Sequence, residues 1–274
     1  MFKILVMTVL IFMGMVGYDN FIGNKSEPTA PIQKQEEKAE TQEKSIILGI
    51  FTSLMPPKEE WPSPVQKVFL AINMEEVINP IREGPDWTSI DAMSQDIPKA
   101  LIAIEDHGFY DHGAIEIDSI IRATLANINA GEVVQGGSTI TQQLAKNIFL
   151  TDEKSMGRKI EEAFLALMLE SKYSKDEILE LYLNTAYLGA GATGIRQAAK
   201  VYFAKTPADL TLAEAAVIAS LPYAPSSLNP LENPEGCKKR QLLVLNAMLK
   251  YGMITQNQLN AAKSETVYLT SGSL

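Results

Sequence analysis

The sequence predicts a mainly α fold for the chain beyond Trp61, and three observations support this prediction. Apolar residues recur at helical spacing, three Ser/Thr-x-x-Glu/Gln sets have the spacing of a capping box, and the alternation typical of strands is scarce. With 274 residues, 46% of them hydrophobic, the chain can bury one sizeable core. Its formal net charge of -9 argues against nucleic acid as a partner, because a phosphate backbone requires a basic face.

The N-terminal residues have the character of a membrane signal. Phe2 to Tyr18 form a nearly uncharged apolar run, shorter than the roughly 20 residues of a membrane span and similar to the apolar region of a secretory signal. Because no convincing small-x-small cleavage site precedes Asp19, we favour a retained signal-anchor over residues 1–19, with a cleaved signal peptide as the alternative. Both place the rest of the chain outside the cytoplasm.

A polar segment separates this run from the helical region. Residues 20–60 are predicted to be a tether and membrane-proximal linker, because most of them lack an apolar stripe. Ile46 to Met55 is apolar again, and we expect this short segment to lie on the membrane surface. The folded domain is predicted to cover residues 61–265.

Within that domain, helix boundaries follow from local signals. An apolar stripe at Ile117, Ile120, Ile121 and Leu125 predicts one helix, and the spacing of Ile160, Phe164, Leu167 and Met168 predicts the buried face of another. Three other helices are predicted to begin at the capping boxes Thr139/Gln142, Ser174/Glu177 and Thr211/Glu214. A further helix is predicted to begin at Asn233-Pro234 and to end at Gly252.

Glu105 is the leading candidate for chemistry. It follows the apolar run Ala100 to Ile104 and enters a loop that contains Gly108, so its carboxylate is expected to be partly desolvated and its pKa raised toward that of a useful base. From the residues alone, a structural Glu-Asp pair that ties down the loop is the commoner arrangement. Asp106 and His112 are expected to hold this loop by hydrogen bonds. For the histidines, a metal site at His107 and His112 is the sharper alternative, which we discount because the loop gives them no fixed helical spacing.

Two further polar clusters follow along the chain. Gly136-Gly137-Ser138-Thr139 precedes a helix start, where free backbone N–H groups suit an anion such as pyrophosphate. Arg158, Lys159 and Glu162 share one side of a later helix, either as an ordinary intrahelical salt bridge or as two cations aimed at a departing anion.

These blocks, in this order, resemble the peptidoglycan glycosyltransferases, and the resemblance extends from about Trp61 to Tyr251. Glu180-x-Tyr182-Leu183-Asn184, with Gly194, and Lys239-Arg240 belong to the same pattern, and we expect the first of these to serve close helix packing. The resemblance implies a lysozyme-like glycosyltransferase domain with a smaller membrane-abutting lobe, preceded by an N-terminal membrane anchor. It also implies polymerisation of lipid II into β-1,4 glycan strands with inversion and release of undecaprenyl pyrophosphate.

The resemblance assigns roles residue by residue. Glu105 is the expected general base and Glu162 the second catalytic carboxylate. No cofactor is required, although Mg²⁺ or Mn²⁺ near Glu162 assists in some relatives. The expected substrate-binding residues are Asp106, Ser138, Gln142, Gln143, Lys146, Asn147, Arg158 and Lys159.

The resemblance also carries expectations about context. It implies a single-pass protein of the bacterial cell membrane with an extracytoplasmic catalytic domain. It also implies other cell-wall synthesis proteins as partners. Because no Ser-x-x-Lys motif of a penicillin-binding domain occurs, we expect a monofunctional enzyme or a piece of a longer one.

Two rival functions stay open, and one residue departs from the family pattern. The rivals are a glycan-cleaving enzyme of similar fold and a non-catalytic, membrane-tethered protein that binds the glycan precursor. The departure is Ala114, which stands after Gly113 where the family has glycine. If that glycine supplies a positive φ angle, the turn must be rebuilt around Gly113.

Overall fold

The structure is a computed structural model that describes residues 63–130, 136–150 and 156–274. The anchor predicted for residues 1–19, the tether and linker of 20–60, and the Ile46 to Met55 segment therefore lie outside the described residues. Among the helices that are described, none is both long enough and apolar enough to cross a bilayer.

The described residues form eleven α-helices, three short 3-10 turns and one small hairpin, which confirms the mainly α prediction. The helices are α1 Ser63–Ile72, α2 Met74–Arg82, α3 Asp96–Glu105, α4 Ile117–Ala130, α5 Ile140–Phe149, α6 Met156–Lys172, α7 Lys175–Thr185, α8 Gly194–Phe203, α9 Leu212–Ser220, α10 Pro234–Lys250 and α11 Gln256–Ser264. The strands β1 Tyr268–Leu269 and β2 Gly272–Ser273 pair antiparallel, with Tyr268 opposite Ser273.

The chain divides at Met74 into two compact units, and the second, Glu75–Leu274, holds the residues considered below. Its centre is α9, which is buried from Ala213 to Ser220 and packs against α3 and α10. A second packed group joins α5 to α6 and α7. α3 and α5 carry the side chains of greatest interest, and each is held by two neighbouring helices.

Local sequence signals define the helix starts as predicted. Thr139, Ser174 and Thr211 each accept a hydrogen bond from the backbone of the Glu or Gln three residues on, and all three capping boxes are complete. Asn233 caps α10 with Pro234 in its first turn. A fourth complete box at Thr255 and Gln258, which was not predicted, opens α11.

Glycine at 194 is required by a close approach between helices. Gly194 begins α8 with φ +78, and a Cβ built on it would lie 2.5 Å from the carbonyl oxygen of Asn184. A side chain there would be strained by backbone conformation and by contact with the end of α7. This confirms the close packing expected of this motif.

The predicted buried face of α6 is wrong. Ile160 is 71% exposed, and Phe164 and Leu167 also face outward, with Met168 half-buried. The buried side of this helix instead carries Glu162, Leu165, Ala166, Leu169. Helical spacing identifies residues that share a face, but it does not say whether protein or another medium covers that face.

α4 has the same character. Its apolar stripe exists as predicted, yet Ile117, Ile121, Leu125 and Ile128 are each more than half exposed. Two helices of the domain thus present apolar side chains that the described protein does not cover.

Candidate functional site

The ends of α3, α5 and α10 and the first half of α4 enclose a cleft of about 620 Å³. Its lining is rich in charge, with four cations and three carboxylates. The charged lining residues are Arg122, Lys146, Arg240, Lys250, Glu105, Asp106 and Glu116. An acidic protein therefore carries a concave surface with a local cluster of cations, which suits an anionic ligand.

Glu105 is the last residue of α3 and reaches the cleft wall. Burial raises the pKa of its carboxyl above the ordinary value, and Asp106 adds to the rise, while the hydrogen bond from Gln143 and the charges of Arg240 and Lys146 oppose it. The Gln143 amide donates from Nε2 to Glu105 Oε2 at 2.9 Å. The result is a carboxylate that is held in place and more basic than one in water.

Asp106 is buried and joins two parts of the site. Its Oδ2 accepts from the Ile140 backbone N–H at 2.9 Å, and its Oδ1 lies 2.6 Å from His112 Nε2. His112 Nδ1 lies 2.6 Å from the Gly113 carbonyl oxygen. Burial lowers the pKa of His112, but the hydrogen bonds to Asp106 and Gly113 outweigh it and raise the pKa overall. Asp106 therefore anchors the loop after Glu105 to the start of α5, as expected for a loop-holding pair.

The loop around Ala114 needs no glycine conformation. Neither Gly113 nor Ala114 has a positive φ angle. The buried Ala114 uses its carbonyl oxygen to accept from the Thr139 hydroxyl at 2.7 Å. The departure from the family pattern is therefore accommodated, and the loop remains tied to the cap of α5.

The residues of α5 and of the loop before it divide between the cleft and the helix cap. Ser138, Gln143 and Lys146 line the cleft. Gln142 does not, because its buried side chain accepts from the Thr139 N–H and completes the capping box. Asn147 is exposed and lies outside the lining formed by the described residues.

Lys159 and Glu162 form a pair on α6 that reaches the glycine loop. Glu162 is buried and accepts a hydrogen bond from Lys159. Lys159 also donates to Ser138 Oγ at 2.8 Å. Glu162 thereby holds a cation beside the cleft-lining Ser138, although neither Lys159 nor Glu162 lines the cleft itself. Arg158, also outside the lining, is half-buried on the same helix.

Sequence patterns did not identify several lining residues on the far side of the cleft. The Arg240 guanidinium lies over the Tyr223 ring at 4.1 Å. His107 and Tyr251 stack with ring centroids 4.3 Å apart, and Lys250 lies over Tyr251 at 4.9 Å. Arg240 belongs to a recognised motif, whereas the stack of His107 on Tyr251 joins residues distant in sequence, so no local pattern indicates it.

One group of three potential metal ligands occurs among the described residues: Asp106, His112 and Glu116, with ligand atoms within 4.8 Å of one another. Both His112 ring nitrogens already have an oxygen at 2.6 Å, an arrangement that an imidazolium satisfies without a cation. In the part of the chain that the structure describes, no such group includes Glu162.

Comparison with known proteins adds independent findings. The family model described as "Transglycosylase" matches residues 66–249. The chain is 49% identical over 183 residues to "Penicillin-binding protein 1A" of Neisseria flavescens, covering 67% of this chain and 23% of that protein. The protein of the same name from Aquifex aeolicus is 49% identical over 176 residues, covering 64% and 24%.

A crystal structure of Penicillin-Binding Protein 1A from Haemophilus influenzae is 34% identical, with a TM-score of 0.35 over 48% of this chain and 16% of that one. The chain thus spans about a quarter of the length of the two curated relatives above.

Proposed function

The chain belongs to the transglycosylase family, and from that premise we propose that it is a peptidoglycan glycosyltransferase. Its substrates would be lipid II and a growing glycan on undecaprenyl pyrophosphate, joined into β-1,4 strands with inversion. The observation that supports this most is the position of Glu105, a partly buried carboxylate of raised pKa in a cleft lined by cations. We further propose that the domain has a lysozyme-like fold.

Glu105 would act as general base. Its carboxylate takes the proton of the acceptor 4-hydroxyl, and the hydroxyl oxygen attacks the anomeric carbon of the donor from the face opposite the pyrophosphate. The new glycosidic bond forms as the carbon–oxygen bond to pyrophosphate breaks, and the leaving group takes the electron pair. A raised pKa suits this task, because a stronger base accepts the proton more readily.

The cations of the cleft would stabilise the charge that develops on the leaving pyrophosphate. Lys146 is on the cleft wall with Arg122, Arg240 and Lys250. Lys159 is held toward Ser138 by the buried Glu162, which gives this carboxylate a charge-positioning role. Fixed cations aimed at charge that grows in the transition state lower the barrier more than they favour substrate binding.

A divalent cation near Glu162 stays a proposal that no step above requires. The described residues supply no three-ligand group at Glu162, and its carboxylate already binds Lys159. Retention of full polymerisation after EDTA treatment would contradict a role for Mg²⁺ or Mn²⁺.

We also propose that the exposed faces of α4 and α6 meet the outer surface of the bacterial cell membrane, where a lipid-linked substrate resides. Ile128 is 70% exposed and Ile160 71%, in apolar stripes that no described element covers. Substituting Ile160 and Leu167 by serine should weaken binding of the chain to liposomes, whereas Leu243→Ser, also at an exposed leucine, should not. Equal binding by all variants would count against this placement. Other cell-wall synthesis proteins are the proposed partners.

A direct test is incubation of the purified full chain with labelled lipid II, and separately with preformed glycan strands. The proposal expects new polymer in the first reaction and no loss of strands in the second. Shortening of preformed strands without polymer growth would favour the glycan-cleaving alternative. Bound lipid II with neither reaction would favour the non-catalytic binding protein.

A further inference from the structure

A partly buried chain of hydrogen bonds links Glu105 to a residue that lies behind the cleft wall. The Tyr182 hydroxyl donates to Gln143 Oε1 at 2.8 Å, and Gln143 Nε2 donates to Glu105 Oε2 at 2.9 Å. The three side chains come from α7, α5 and α3. Tyr182 is 1% exposed and does not line the cleft, so it cannot contact a substrate bound there.

The direction of these two hydrogen bonds matters. A primary amide has one acceptor oxygen and one donor nitrogen, so the partner of one end determines what the other end presents. Burial raises the pKa of Tyr182 well above its ordinary value, and the negative charge of Glu105 adds to this, so the phenol keeps its proton. A phenol that donates to Gln143 Oε1 turns the amide N–H₂ toward Glu105. The flipped amide would instead place its oxygen against the carboxylate oxygen.

We propose that Tyr182 is a positioning residue for the base, acting through the Gln143 amide to hold Glu105 Oε2 and to favour the ionised carboxylate. The structure records no hydrogen bond from the described residues to Glu105 Oε1, which is the oxygen then left for the acceptor hydroxyl. This inference rests on the proposed function, in which Glu105 is the general base. It gives the buried tyrosine a part in ionisation of the base in addition to helix packing.

The test is Tyr182→Phe in the full chain. Without the phenol, the amide loses the partner that orients it, and its hydrogen bond to the carboxylate weakens. The acid limb of the pH profile of kcat/KM should move to higher pH, because the pKa of Glu105 rises further. At pH values below the midpoint, activity should fall about two- to tenfold, the effect of losing most of one hydrogen bond from a neutral amide to the ionised carboxylate. On the alkaline plateau, activity should change by less than about twofold.

A matched control separates this effect from loss of a buried hydroxyl in general. Tyr202 is also fully buried, and its hydroxyl donates to the Leu188 carbonyl at 2.7 Å, outside the cleft lining. Tyr202→Phe should leave the acid limb in place. In a Gln143→Ala background, Tyr182→Phe should cause no further shift, because the amide that carries the effect is absent.

The carboxyl titration of Glu105, followed by carbon-13 NMR and assigned with Glu105→Gln, gives a readout that needs no turnover. A higher titration midpoint in Tyr182→Phe than in the wild type supports the proposal. An unchanged midpoint overturns it, as does an equal shift from Tyr202→Phe or a persistent shift in the Gln143→Ala background. Absence of polymer from the wild type would instead refute the proposed function, and the titration would still decide the role of Tyr182.

Discussion

Gly137 and Gly136 are neighbours in the glycine loop, yet the structure predicts opposite responses to alanine. A Cβ on Gly137 would lie 2.9 Å from Ile120 Cα, 3.0 Å from the Ser119 carbonyl oxygen and 3.2 Å from Ala123 Cβ. Ordinary carbon–carbon contact begins near 3.5 Å, so the loop must retreat from α4 by about 0.5 Å. A Cβ on Gly136 would meet nothing within 4 Å.

In Gly137→Ala, overpacking lowers the free energy of unfolding by about 1–3 kcal/mol. The alanine also restricts the unfolded chain, which offsets a modest part of this loss. A net loss of about 1–2 kcal/mol corresponds to a melting temperature lower by roughly 2–8 °C for a domain of this size. The same retreat displaces Ser138, which accepts from Lys159, so polymerisation should fall about tenfold.

Thermal unfolding followed by circular dichroism, together with the polymerisation assay, tests this pair of variants. Gly136→Ala should retain the melting temperature of the wild type. Identical melting temperatures and activities for the two variants would refute the claim that the loop packs tightly on α4.

Four further predictions concern charge. In the proposed mechanism the active form of Glu105 is ionised, and burial raises its pKa, so kcat/KM should rise with pH through a midpoint above the ordinary value of 4.5; a midpoint at or below it would contradict this. The folded state then binds the Glu105 proton more tightly than the unfolded state does, so the free energy of unfolding falls as pH rises from the ordinary pKa of 4.5 through the raised one. The melting temperature of Glu105→Gln minus that of the wild type should therefore be larger at pH 7.5 than at pH 4.5. Lys146→Met should lower kcat about 10²-fold by removing a cation from the developing pyrophosphate charge, and an unchanged kcat would exclude that role. Lys205→Met should cost about 2 kcal/mol in urea unfolding, because it leaves the buried Glu214 without the ammonium that contacts both its oxygens at 2.8 Å; a loss below about 0.5 kcal/mol would show that water replaces it.

Predictions from the sequence were best where the physics is local. Thr139, Ser174 and Thr211 open helices as expected, since a capping box needs only four consecutive residues. Glu105 lies at the end of a helix whose apolar sequence alone indicated that the carboxylate would be desolvated. Asp106 and His112 hold the loop together, as two polar residues near a turn often do.

Predictions were weaker where the answer depends on what lies opposite a residue. The spacing of Ile160, Phe164 and Leu167 identified a shared face but assigned it to the core, because spacing does not reveal the surrounding medium. Gln142 and Gln143 are adjacent amides; the capping-box spacing assigned the first to the start of α5, but only the fold shows that the second binds Glu105. The stack of His107 on Tyr251 joins residues 144 positions apart, beyond any local pattern.

That Glu105 is the base of a glycan polymerase is the proposal on which the mechanism depends. Its most direct test compares the wild type with Glu105→Gln, measuring both polymer formed from labelled lipid II and binding of that substrate. We expect polymer from the wild type, none from the variant, and similar substrate binding by both. Polymer from the variant at the wild-type rate would show that another group accepts the proton.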